Sequence, residues 1–154
     1  MTDIYYLAPQ ARIKDILWEL EVASRSRFAE TTPMPPALWT EHVLPVSWTE
    51  EWPFEDGEFV EIWSDDEKAE NRNRLLHTLG NLTLLTDVLN ISSGNKGFQE
   101  KRKKFEEHTG LFLNKWFFKK DRWYETDIRE RSEALADMAV EIWPTIVISG
   151  TEPA

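Results

Sequence analysis

"LGNLTLLTDVLN", residues 79–90, is a run of leucines and threonines with one asparagine near its start and another at its end. Its first eight residues, "LGNLTLLT", have the β-propensity of a strand that follows a glycine break. A strand this apolar is buried, and a buried amide must find hydrogen-bond partners. Asn81 and Asn90 therefore need an explanation, and their neighbours in the chain supply one.

Upstream, "ARIKDILWEL" spaces Ile13, Ile16, Leu17 and Leu20 as the stripe of an amphipathic helix, expected from about 9 to 25. The proline-rich "TTPMPPALWT" is too stiff and donor-poor for regular structure, and "EHVLP" follows as a strand end stopped by Pro45. Residues 46–63 are acidic, aromatic and irregular. Ser64 and Glu67 make a capping-box pattern that starts a helix reaching about His77. Downstream, "NISSGNKG" is turn chemistry, and "FQEKRKKFEEHTG" is a helix ended by Gly110. A last helix carries Ile128, Arg131, Leu135, Met138 and Ile142 on one face and stops at Trp143-Pro144. Arg131 is expected to tie it to the acidic segment, and His108 to be structural. The sum is an α+β domain, four or five helices around a two-stranded element.

Length and composition set the bounds. The 154 residues suit one domain, with an ordered core over about 9–144. Eight tryptophans, from Trp18 to Trp143, are expected to pin the helices to a shared core. No cysteine is present, which excludes disulfides, zinc-thiolate sites and thiol nucleophiles. No apolar run approaches the roughly 20 residues of a membrane span, and the charged N-terminus is not a signal peptide, so a cytoplasmic location is expected. The net charge of −10 is unevenly spread. Residues 41–70 hold eleven acids and one base, whereas 96–122 hold nine bases and four acids. A local basic surface is thus hidden by the global charge.

Four polar residues sit where chemistry could use them. Glu41 and His42 are neighbours at a strand end, where successive side chains point to opposite sides. Hydrolysis of a phosphodiester needs a base to activate water and hard oxygen ligands for a divalent cation. His42 is a suitable base, because imidazole is neutral near physiological pH. Glu41 and Asn90 offer the oxygens. Asn81 could hold the His42 ring by accepting a hydrogen bond from one of its nitrogens. Lys96, Lys101, Arg102, Lys103 and Lys104 would attract phosphate whatever the sequence. His77 and Asn95 are candidate phosphate contacts, although a histidine near a helix C-terminus also suits the helix dipole.

"EHVLP", "LGNLTLL", the asparagine nine residues after the first, and "NKGFQEKR" resemble the HNH, or ββα-metal, nucleases. The closer resemblance is to the DUF1524 branch, the C-terminal domain of GmrSD-type restriction proteins. It extends to "RIKDILWELE" and to Trp123, Ile128, Arg131, Leu135, Ile142 and Trp143, so it covers most of the chain. The resemblance implies a hairpin-helix core of ββα-metal type packed within the helices. It implies His42 as general base, Asn81 as the residue that orients it, and Glu41 and Asn90 as metal ligands. Two departures stand out. Asparagine replaces the last histidine of the HNH pattern, which favours one Mg²⁺ or Mn²⁺ ion per chain over zinc. Glutamate precedes the catalytic histidine where many HNH proteins have aspartate.

The resemblance also implies a DNA endonuclease of restriction or phage defence, the C-terminal module of a larger protein with a separate N-terminal nucleotide-sensing domain. With one site per chain, double-strand cleavage would need a dimer or two sequential nicks. The rival readings are a catalytically silent nucleic-acid-binding module and a protein-interaction domain using the acidic 41–70 face.

Overall fold

The computed structural model describes residues 9–25, 33–48, 51–56, 63–86, 97–107 and 110–144. Among them are four α-helices and two strands: α1 (Gln10–Ser24), β1 (Trp39–His42), α2 (Asp65–Leu75), β2 (Leu82–Leu85), α3 (Phe98–Glu107) and α4 (Glu125–Ile142). Two 3-10 segments, Leu79–Asn81 and Phe112–Phe117, complete the regular structure. This is the expected α+β class. Among the described residues no helix is long and apolar enough to cross a membrane.

The strands pair antiparallel, with Glu41 opposite Thr83 and His42 opposite Leu82. All four β2 residues are buried. Leu82 and Leu84 join Ile13, Leu17, Leu20, Leu111, Leu113 and Leu135 in one apolar cluster. Leu85 joins a second with Val43, Leu44, Trp52, Phe98, Phe105, Phe117, Trp123 and Ile128. The alternation of a strand thus divides the interior into two cores, with the sheet as partition. Trp18, Trp52 and Trp123 are buried anchors, but Trp39, Trp63 and Trp143 are exposed, so the expectation that tryptophans pin the core holds only in part.

Helix α2 begins as its sequence dictates: the Ser64 hydroxyl accepts from the Glu67 N–H, and the Glu67 carboxylate accepts from the Ser64 N–H. Its Arg72 is buried and holds the acidic segment in place. The guanidinium donates to Glu125 Oε1 (2.5 Å), to the Trp52 carbonyl (2.6 Å) and to the Pro53 carbonyl (2.8 Å). It also stacks against Trp48 and Phe54. Glu21 of α1 is fully buried and accepts from the N–H groups of Phe112 and Leu113, capping the second 3-10 segment.

Two expectations need correction here. Residues 79–81 form a 3-10 turn and the strand starts only at Leu82, so Asn81 lies in the turn rather than inside a strand. The cause is close packing: a Cβ on Gly80 would lie 2.1 Å from the Ile128 carbonyl oxygen and 2.1 Å from Ser132 Oγ. Only glycine lets this turn lie on α4, where its N–H donates to Ser132 Oγ (3.1 Å). Arg131, expected on the acidic segment, instead points into this turn. It donates to the carbonyls of Gly80 (2.8 Å) and Leu82 (2.7 Å), and burial pulls its pKa down to about 9, so it stays charged at neutral pH.

Candidate active site

His42 ends β1 and is held from four directions. Its backbone is set by the ladder to Leu82. Its carbonyl accepts from Lys101 Nζ of α3 at 2.6 Å. The two residues that follow it are clamped by Asn81, through Val43 N–H to the Asn81 carbonyl (2.9 Å) and Leu44 N–H to Asn81 Oδ1 (2.8 Å). Its ring meets His77, with Nε2 3.1 Å from His77 Nδ1 and the two rings edge to face. Burial, helped by His77 and Lys101 nearby, pulls the His42 pKa down to about 4, so the imidazole is neutral at physiological pH. A neutral imidazole is the form that can accept a proton.

The Asn81 amide makes no hydrogen bond to this ring, contrary to the sequence expectation. Its amide is fully buried and every hydrogen-bonding position is used. Oδ1 accepts from Leu44 N–H and from Trp123 Nε1 (3.2 Å), while Nδ2 donates to the carbonyls of Leu44 (2.9 Å) and Leu76 (2.9 Å). An amide presents two donors and two acceptor sites, and all four are accounted for. Asn81 therefore fixes the backbone around His42 rather than the imidazole. Among the described residues the ring is paired with His77, which lies in the turn after α2 and is itself buried. Its place four residues before Asn81 was the available signal, because one turn delivers both side chains to the end of β1.

Glu41 and His42 diverge as strand neighbours should. The Glu41 carboxylate faces α3, where Lys101 Nζ donates to Oε1 at 2.7 Å. This overturns the expectation that Lys101 is a surface phosphate contact, since the residue is only 5% exposed. Burial lowers the Lys101 pKa, with Glu41 pulling the other way. The signal was present in the helix pattern: Phe98, Lys101 and Phe105 fall at i, i+3 and i+7, the buried stripe of α3. The rest of the basic run differs residue by residue. Arg102 is half-buried and donates to the Lys120 carbonyl (2.8 Å) and Asp121 (3.2 Å), Lys103 is exposed, and Lys104 is half-buried.

Asn90, Asn95, Lys96 and His108 lie outside the described residues. Among the described residues no three His, Asp or Glu side chains are grouped to hold a metal ion. Glu41 is the one expected metal ligand in view, and its carboxylate is bound to an ammonium. The described donor set does not fit a divalent cation as it stands, because such a site needs several oxygens free to coordinate.

Strand β1, strand β2 and helix α3 thus meet around one neutral histidine, an arrangement compatible with a small ββα-type fold. The family model for the C-terminal domain of GmrSD restriction endonucleases matches residues 1–138. The chain belongs to this family. GmrSD membership gives it a restriction-endonuclease-type function, with DNA as the substrate class, and places it with domains that end larger proteins. No curated protein and no solved structure matches the chain.

Proposed function

We propose that this GmrSD C-terminal domain is an HNH-type endonuclease that hydrolyses DNA phosphodiesters, with His42 as the general base. The observation that carries the reading is the convergence on His42. Its ring is paired with His77, its carbonyl is held by α3, and its flank is clamped by Asn81. These contacts come from two separate parts of the chain, the 77–81 turn and α3, and fix one side chain whose neutral form is favoured. Positional restraint of that kind is what general-base catalysis needs.

In the proposed reaction His42 takes a proton from water, and the oxygen bonds to phosphorus opposite the 3′ oxygen. The bond to the 3′ oxygen breaks, leaving a 5′-phosphate and a 3′-hydroxyl protonated from solvent. His77 orients the base through the nitrogen pair. Lys103 and Lys104, with Lys96, would attract the DNA backbone. The proposal includes one Mg²⁺ or Mn²⁺ ion per chain, which would supply Lewis-acid polarisation of the phosphate. Glu41 and Asn90 are its proposed ligands, and of these only Glu41 lies in the described part of the chain, on Lys101.

The biological setting proposed is restriction of foreign or modified DNA in phage defence, by a cytoplasmic protein whose N-terminal domain senses nucleotide. The test is plasmid nicking with Mg²⁺ or Mn²⁺ by the wild-type chain and by His42→Ala. Conversion of supercoiled to open-circular DNA by the wild type alone supports the proposal. Equal conversion by both proteins removes His42 from the mechanism. A shifted but uncut DNA with either metal would leave a binding module.

A further inference from the structure

Strand β1 begins on an indole that the fold leaves in solvent. Trp39 is 50% exposed, although few side chains have more apolar surface to bury. Beside it lies a cavity of about 470 Å³, within the roughly 300–1,000 Å³ of ligand sites. Gln10 and Lys14 of α1 form one wall, and Pro36, Leu38, Trp39 and Thr40 form the other. Among the described residues no carboxylate lines it. Lys14 is half-buried, and among the described residues its ammonium has no hydrogen bond and no ion pair. An unpaired cation and an open aromatic face in an acid-free cavity suit a ligand that is both anionic and flat. A nucleotide is such a ligand: its phosphate meets the ammonium and its base stacks on the indole.

We propose that this cavity is a nucleotide subsite, in which Trp39 stacks on an unpaired base of the DNA strand and Lys14 holds its phosphate. The proposal rests on the reading of the domain as a DNA endonuclease, and adds to it a second contact on the strand that carries His42. Trp39 opens β1 and His42 closes it. At about 3.3 Å per residue they are roughly 10 Å apart, about three base steps of 3.4 Å. Thr40, which lines the cavity, lies on the same side of the strand as His42. A DNA strand held at Trp39 therefore has a phosphodiester a few nucleotides away within reach of His42. Stacking of this kind is indifferent to sequence, because every nucleobase has a π-face.

The experiment is fluorescence anisotropy of a short labelled single-stranded oligothymidylate titrated with the 154-residue chain at several salt concentrations, in EDTA so that nothing is cut. Wild type is compared with Trp39→Ala, Trp39→Phe and Lys14→Ala, folding being checked by circular dichroism. Trp39→Ala is expected to bind roughly tenfold more weakly with its salt dependence unchanged, and Trp39→Phe to keep most of the affinity. Lys14→Ala is expected to lower the log–log salt slope by about 0.7, the share of one phosphate on a single strand. Wild-type affinity in Trp39→Ala overturns the proposal and leaves the exposed indole for a protein partner. Equal losses in Trp39→Phe and Trp39→Ala, an unchanged slope in Lys14→Ala, or a wild type that binds no oligonucleotide overturn it too. The readout needs no turnover, so failure of the subsite leaves the His42 assignment standing, and failure of that assignment appears in the nicking assay alone.

Discussion

Asn81→Ala removes one amide from a position with no solvent exposure. Four groups lose their partner together: the Leu44 N–H, the Leu44 carbonyl, the Leu76 carbonyl and the Trp123 indole N–H. Each buried group left unsatisfied costs about 1–3 kcal/mol, and the low end applies where neighbours share a space that can relax. Four such losses come to about 4 kcal/mol, a large part of the roughly 5–15 kcal/mol that holds a domain folded. At roughly 2–4 °C per kcal/mol for a chain of this size, the melting temperature should fall by roughly 8–16 °C. Thermal and urea unfolding followed by tryptophan fluorescence would measure it. Asn81→Asp separates the two possible roles of the residue. It keeps an acceptor that could hold an imidazole, but it aims a second oxygen at two carbonyls, so it should be at least as destabilising as alanine. A loss below about 1 kcal/mol in either variant would refute the backbone-clamp account.

Gly80→Ala should destabilise by more than about 2 kcal/mol in the same unfolding assays, since the new methyl would lie 2.1 Å from a backbone oxygen of α4 that cannot yield. His77→Ala should slow cleavage by roughly tenfold to a hundredfold without weakening DNA binding, because the ring of His42 loses the partner that orients it. Unchanged single-turnover cleavage would show that His77 has no positioning role. The pair Lys103→Ala and Lys104→Ala, made together, should reduce the salt dependence of DNA binding by about two in the log–log slope, whereas Lys101→Met should leave that slope unchanged. Gel-shift titrations at several salt concentrations would distinguish them.

Features set by short-range spacing were legible in the sequence. The apolar stripe of α1, the Ser64–Glu67 capping box, the face of α4 and the burial of Leu82–Leu85 all depend on neighbours within a few residues. The divergence of Glu41 and His42 followed from strand geometry alone. What could not be read depends on long-range approach. The 3-10 turn at 79–81 exists because Gly80 lies against α4, some fifty residues away. Asn81 finds Trp123 and Arg131 finds the turn's carbonyls by the same convergence. Lys101 was hidden by its company, since a basic run reads as a solvated face. Only its interval from Phe98 and Phe105 marks it as buried. The asparagines of "LGNLTLLTDVLN" accordingly part ways: Asn81 is a clamp on the backbone of the candidate site, and Asn90 is a proposed ligand outside the described residues.

Single-turnover cleavage of supercoiled plasmid by wild type and His42→Ala, each with and without added imidazole, tests the central claim most directly. If His42 is the general base, the variant loses roughly 10²–10⁴ in rate and imidazole restores part of it, because the cavity then admits a free base. A His42→Ala protein that cuts at the wild-type rate contradicts the account.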